Sequence, residues 1–212
     1  MRIDVWSDVV CPWCYLGFVR LEKALAQTGI EAEVFHHAYQ LDSSAVQDGR
    51  RTAEHLAEKY GIGVEDALGM MERVTTIAAE DGLAYRLADT PHGNTATAHR
   101  LLAFAATQGK QHDLLFRLFD AYFQQVQAVF SADELRPHAL AVGLDPMRVD
   151  EVLGSDEFAD VVDYDKQVAE QIGVRGVPFF VFDQRIAVPG AESVETLIEA
   201  MTKAAENVRP PA

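Results

Sequence analysis

Hydrophobic spacing changes twice along the chain. Ile3-Asp4-Val5-Trp6 is a short, mostly apolar run suited to a strand. From residue 11 the spacing turns helical: Leu16, Val19, Ala24 and Leu25 share one broad face, and Gly29 is a natural stop. Glu31 to Tyr39 alternates in part, with Ala32, Val34 and His36 set against Glu31, Glu33 and Phe35, which predicts a second strand. A helical crossover between two strands implies that they pair in parallel.

From about Ser43 the strand signal disappears and helical stripes follow one another. Ala53, Leu56, Ala57 and Tyr60 end at Gly61; Leu68, Met71, Val74, Thr75 and Ala78 end at Gly82. Leu101, Leu102, Phe104 and Ala105 lie in a third helix, from Asn94 to about Gln108, and Leu114, Leu115, Leu118, Phe119 and Tyr122 mark a fourth. Shorter helices around Leu135 to Val142 and Val149 to Leu153 are punctuated by Pro137 and Pro146. The Met70-Met71 pair is expected to fill core space. Ser155 to Ile172 predicts a long helix ending at Gly173. Pro178 opens the apolar strand Phe179-Phe180-Val181-Phe182, a position a sheet tolerates. Asp183-Gln184 turns the chain into Arg185–Val188. Val194, Leu197, Ile198 and Met201 define an amphipathic last helix, and Arg209 to Ala212 read as a loose tail. A helical block cannot complete the opening β-α-β. The expected architecture is therefore α/β, with a discontinuous domain of residues 1–42 and 155–212 and an inserted helical domain of residues 43–154.

Cys11-Pro12-Trp13-Cys14 holds the chain's two cysteines, at the junction of the first strand and first helix. Pro12 suits the first helical turn, where its missing N–H costs nothing. Cys11 falls at the helix N-terminus, where free N–H groups and the helix dipole favour an anion; the thiolate is the nucleophilic form. Cys14 is one turn further in, on the same face and within disulfide reach. The expected chemistry is thiol–disulfide exchange, with Cys11 attacking and Cys14 resolving. Half of a closed zinc site, or two inert core thiols, are the competing readings. A closed zinc site takes four ligands, there is no second Cys-x-x-Cys, and His36-His37, His92 and His99 lack finger-like spacing. No metal site is expected. Asp8, three residues before Cys11, reads as a solvated loop carboxylate ahead of a proton acceptor, and His36 and His37 as packed or solvated strand-end residues.

Three blocks carry a resemblance to a known family. Ile3 to Gly17 (IDVWSDVVCPWCYLG), Gly93-Asn94-Thr95 with Ala98-His99-Arg100-Leu101, and Gly173-Val174-Arg175-Gly176-Val177-Pro178-Phe179-Phe180 together resemble the DsbA branch of the thioredoxin superfamily, more narrowly its FrnE-like cytosolic members. The resemblance spans essentially the whole chain. It implies a thioredoxin-like fold with a large helical insertion, and a cis Val177–Pro178 bond that sets the Val177 backbone beside Cys11, where an extended substrate can pair as an added strand. It also implies that the helix start at Asn94 faces the cysteines, so that Asn94 and His99 contact substrate or glutathione. Pro12 and Trp13 would tune the potential. Pro-Trp departs from the Pro-His of DsbA itself, whose histidine stabilises the thiolate, so strong oxidising power is not expected.

The remaining composition narrows the partners. A net charge of −15 argues against nucleic acid or an anionic membrane as the main partner. Charged residues near the start (Arg2, Asp4, Asp8) leave no signal-peptide core, and no run approaches a membrane span. A cytoplasmic protein is expected, whose close cysteine pair is catalytic rather than a staple. Protein thiols and disulfides or small thiols are the expected substrates, with no bound cofactor, glutathione as a co-substrate, and a homodimer as one way to add contact area. The same branch resembles 2-hydroxychromene-2-carboxylate isomerases and kappa-class glutathione transferases, which typically carry Ser in place of Cys11. A glutathione-dependent isomerase or transferase is thus the second functional reading, and a non-enzymatic metal- or partner-binding module the third.

Overall fold

The structure is a computed structural model and describes residues 1–206; the tail expected at Arg209 to Ala212 lies outside them. The chain divides into two compact units, Met1–Leu41 with Tyr164–Ala212, and Asp42–Asp163.

The first unit is built on a four-stranded sheet in the order β2-β1-β3-β4. β1 (Arg2–Ser7) lies between β2 (Glu33–Ala38), parallel to it, and β3 (Phe179–Phe182), antiparallel; β4 (Ile186–Pro189) pairs antiparallel with β3. The parallel pair is joined by α1 (Pro12–Thr28), which ends at Gly29 in the left-handed conformation (φ 65°). Asp183 and Gln184 both take positive φ (47° and 56°), the two-residue turn that matches hairpin twist.

Register sorts the side chains by face. Ile3, Val5, Phe180 and Phe182 are fully buried together, and Phe18 of α1 meets the Phe180 ring edge-on at 6.2 Å. α9 (Val194–Glu206) packs against α1 and adds the fully buried Leu197 and Met201. Each such side chain contributes about 1.5–3 kcal/mol of burial. On the opposite face Trp6 and His37 bond to Asp165 of α8 (Ala159–Gln171), and His37 bonds to Asp4 as well.

The second unit is helical. It holds α2 (Thr52–Tyr60), α3 (Val64–Glu80), a short 3-10 turn at Leu87–Asp89, α4 (Ala96–Thr107), α5 (Gln111–Phe123), α6 (Ala132–Ala141) and α7 (Pro146–Leu153). Its core centres on Leu101, Leu114, Leu118, Phe119, Phe123 and Leu135. A side chain at Gly93 would place its Cβ 2.5 Å from the Phe130 ring, so only glycine fits.

Three local expectations are corrected. Pro137 does not punctuate a helix but lies inside α6; Ser131 accepts from Glu134 N while the Glu134 carboxylate accepts from Ser131 N, and this capping box holds the short helix despite the missing N–H. Met71 is buried, but its neighbour Met70 is 36 % exposed, one residue round the α3 surface. The helix expected from Ser155 begins at Ala159, after Phe158 takes a positive φ of 67°. The residues before it belong with the second unit: Arg100 donates to the carbonyls of Val152, Ser155 and Glu157, and Arg148 pairs with Glu157 at 2.6 Å.

Candidate active site

Chain geometry after β1 sets up the cysteines. Cys11 N donates to the Asp8 carbonyl at 3.0 Å, closing a turn that aims the chain into α1. Cys11 is the N-cap, with extended backbone (φ −91°, ψ 111°), and Pro12 is the first helical residue. The Cys11 carbonyl already accepts from Cys14 N at 2.9 Å. Both cysteines are free thiols; Cys11 is 3 % and Cys14 0 % exposed. Trp13 stands between them on the outer side of the helix, 37 % exposed.

The two thiols sit in different environments. Burial is the main force that pushes the Cys14 thiol well above its ordinary pKa; the adjoining Cys11 sulfur, through hydrogen bond and charge, and the Asp8 charge add to it, against a smaller opposing hydrogen bond from the Asp8 backbone. Cys14 thus keeps its proton. Cys11 Sγ donates to the Val177 carbonyl at 3.5 Å, and the Val177–Pro178 bond is cis.

Two further residues shape this site. Asp8 is not solvated, as expected from sequence, but buried at 1 % exposure. The chain leaving β2 covers it: Tyr39 N donates to Ser7 O at 3.0 Å, and Leu41 N to Asp8 Oδ2 at 2.8 Å. Gly17, one turn beyond Cys14, lets α1 approach the Pro178 loop: a Cβ there would lie 2.9 Å from Pro178 Cγ and 3.1 Å from Phe180 Cζ. A glycine inside a helical pattern costs about 1 kcal/mol against alanine, and that local cost was the available signal for Gly17.

The structure therefore brings Cys11, Pro12, Trp13, Cys14, Val177 and Pro178 together in one unit. Asn94 and His99 belong to the other. Asn94 Oδ1 accepts from Ala96 N at 2.9 Å, while its amide donates to Ser43 O at 2.9 Å. His99 is buried in α4, and its N–H bonds to Thr95 O at 3.0 Å. His36 packs its ring 4.9 Å from that of Phe18. His37 stacks on Trp6 at 4.5 Å and bridges two carboxylates, Asp165 at 2.7 Å and Asp4 at 2.9 Å.

A family model described as a DSBA-like thioredoxin domain matches residues 2–202. The chain belongs to this DsbA-like family. Among solved structures, the chain is similar to the probable DsbA oxidoreductase SCO1869 from Streptomyces coelicolor, with 38 % identity and a TM-score of 0.92 over 100 % of this chain and 92 % of that one. It shares its fold with a 2-hydroxychromene-2-carboxylate isomerase (16 % identity, TM-score 0.70, 98 % and 97 % covered). The same holds for the cytosolic disulfide reductase DsbM from Pseudomonas aeruginosa (16 % identity, TM-score 0.62, 98 % and 97 % covered). A DsbA-like domain with free cysteines at the N-terminus of its first helix has the groups that thiol–disulfide exchange requires.

Proposed function

We propose that the protein is a cytoplasmic thiol–disulfide oxidoreductase working through Cys11 and Cys14. The observation that carries this reading is the asymmetry of the pair: Cys11 at the helix N-terminus against the Val177 carbonyl, Cys14 fully buried with its proton held. In reduction, the Cys11 thiolate attacks one sulfur of a substrate disulfide, and the departing substrate thiolate takes up a proton. Cys14 then loses its proton and attacks Cys11 Sγ. The mixed disulfide breaks, the second substrate thiol leaves, and Cys11–Cys14 is left oxidised by two electrons. Two glutathione molecules restore the dithiol and leave as glutathione disulfide. Run backwards, the same steps oxidise a substrate dithiol; stopped at the mixed disulfide, they isomerise one. Val177 offers backbone next to the reacting sulfur, where an extended substrate can align.

The test is the redox equilibrium of the pair in glutathione buffers, read by alkylation and intact mass. A midpoint between about −270 and −120 mV is expected, with values near the lower end indicating a reductase and near the upper end an oxidase or isomerase. Failure to form a disulfide at any poise overturns the reading. The isomerase likeness supports a second one, a glutathione-dependent isomerase of small molecules. Isomerisation that survives Cys14→Ser, with no exchange activity in the parent protein, would favour it.

A further inference from the structure

Away from the cysteines, the second unit brings three metal-competent side chains together from distant parts of the chain. One donor atom each from Asp42, His55 and His92 lies within 4.8 Å of the others. We propose that these residues form a binding site for one divalent ion of the zinc class, with the fourth position left to water or a small anion.

The carboxylate is already oriented. Asp42 Oδ1 accepts from Ser44 N at 2.9 Å and Ser44 Oγ at 2.7 Å, which turns Oδ2 toward His55 Nε2. That Oδ2–Nε2 separation is 3.6 Å. It is too long for a good N–H···O bond, which spans about 2.7–3.2 Å. It is close to the ~3.3 Å that separates two ligands around a tetrahedral ion bound at about 2.0–2.1 Å. The imidazoles of His55 and His92 lie face to face, centroids 3.8 Å apart and 13° from parallel. Rings stacked in this way cannot hydrogen-bond to each other, and their lone pairs lie in nearly parallel planes, so one ring must turn about its Cβ–Cγ bond for both to meet a single ion.

The backbone beneath is held in register. Arg51 and Pro91 form an antiparallel bridge, Thr52 N donates to Thr90 O at 2.9 Å, and His92 N to Arg50 O at 3.0 Å. This fixes the start of α2, and with it His55, against His92. The nearby Arg50 guanidinium is engaged by Asp48 at 2.7 Å and Glu58 at 2.6 Å, which offsets its repulsion of a cation. His92 is 9 % exposed, while the side chains of Asp42 and His55 retain 25 % and 18 %, so an ion can enter from solvent. Two imidazoles and one carboxylate suit zinc, cobalt or nickel better than magnesium or calcium, which prefer all-oxygen sites. Their wide sequence separation explains why no metal motif is visible in the chain.

The test uses the full chain with its disulfide formed, so that the thiols cannot serve as ligands. It is titrated with cobalt(II), followed by visible d–d absorption, and with zinc(II) by calorimetry. Expected are one ion per chain, no sulfur charge-transfer band, and a rise in Tm with zinc. Asp42→Asn, which keeps the Ser44 turn, and His55→Gln should each weaken binding by at least about tenfold and cancel the rise in Tm, with unchanged circular dichroism. No stoichiometric binding by the parent protein, or equal affinity in a folded Asp42→Asn variant, overturns the proposal.

Discussion

Gly17 and Pro178 approach so closely that a single added carbon would overlap: the Cβ of any other residue at position 17 would sit 2.9 Å from Pro178 Cγ. The contact joins the helix that carries the cysteines to the loop that carries Val177. Gly17→Ala gains helix propensity but must displace the proline ring and Phe180. A net loss of about 1–3 kcal/mol in urea unfolding is expected, as for overpacked cores. Disulfide exchange should slow as Val177 shifts relative to Cys11. Unchanged stability and unchanged exchange rate would show that the two segments yield freely.

The burial of Cys14 beneath Cys11 predicts an order of events. Cys14→Ser should still attack a disulfide substrate but stop at the mixed disulfide, visible by intact mass as a covalent adduct on Cys11. Cys11→Ser should form no adduct and lose exchange by at least about a hundredfold, within the range expected for removal of an activated nucleophile. Adducts of equal yield on Cys14 in the Cys11→Ser protein would reverse the assignment.

Because the Cys14 pKa is raised in the folded state, chiefly by burial, its linkage has a definite sign. Above the ordinary thiol value of about 8.5 the unfolded chain gives up this proton while the folded protein keeps it. The stabilisation is complete below that pH and declines as pH rises toward the folded value, by up to about 1.4 kcal/mol per pH unit. Reduced parent protein should therefore lose urea stability between about pH 8.5 and 10 more steeply than reduced Cys14→Ala. Parallel pH profiles would contradict the assigned environment.

His37 supplies a second linkage, of different origin. Burial pulls its pKa down, but the hydrogen bonds and charges of Asp165 and Asp4 prevail and leave it raised. Asp4 is pushed up by burial, yet Arg2 and His37 bring it below its usual value. The histidine's contribution is complete below its unfolded pKa of about 6.5 and fades as pH climbs through the raised folded value; the Asp4 contribution is present above about 3.9 and fades as pH falls through the lowered one. The pair stabilises the sheet most between roughly pH 4 and 6.5. His37→Gln should cost roughly 1–3 kcal/mol in that window and less at pH 8, measured by denaturant titration. A cost that is constant with pH would assign His37 a packing role alone.

Local signals sufficed for much of this molecule. Apolar spacing, Gly29, Gly61 and the Pro178 strand start marked α1, α2 and β3 because each depends on neighbours in sequence. The Cys-x-x-Cys likewise announced itself at a strand-to-helix junction. What stayed hidden depends on residues far apart in the chain. Asp8 is buried because residues 39 to 41 return beside it, and nothing near Asp8 encodes that. The bridge from Asp4 through His37 to Asp165 spans the insertion. Met70 and Met71 look alike in sequence, and only the rotation of α3 separates them. The Asp42, His55 and His92 cluster depends on the pairing of residues 50–52 with 90–92.

β1 lies inside the sheet, yet its two partners are made at very different times. β2 follows after a single helix, whereas β3 begins at Phe179. During synthesis the β3-facing edge of β1 therefore waits for most of the chain to leave the ribosome, and Val177 is absent from Cys11 for the same interval. The nascent protein carries its two thiols through that period without the segment that will lie against Cys11. Completion of the sheet is consequently also the moment at which the Val177 carbonyl first reaches the Cys11 sulfur.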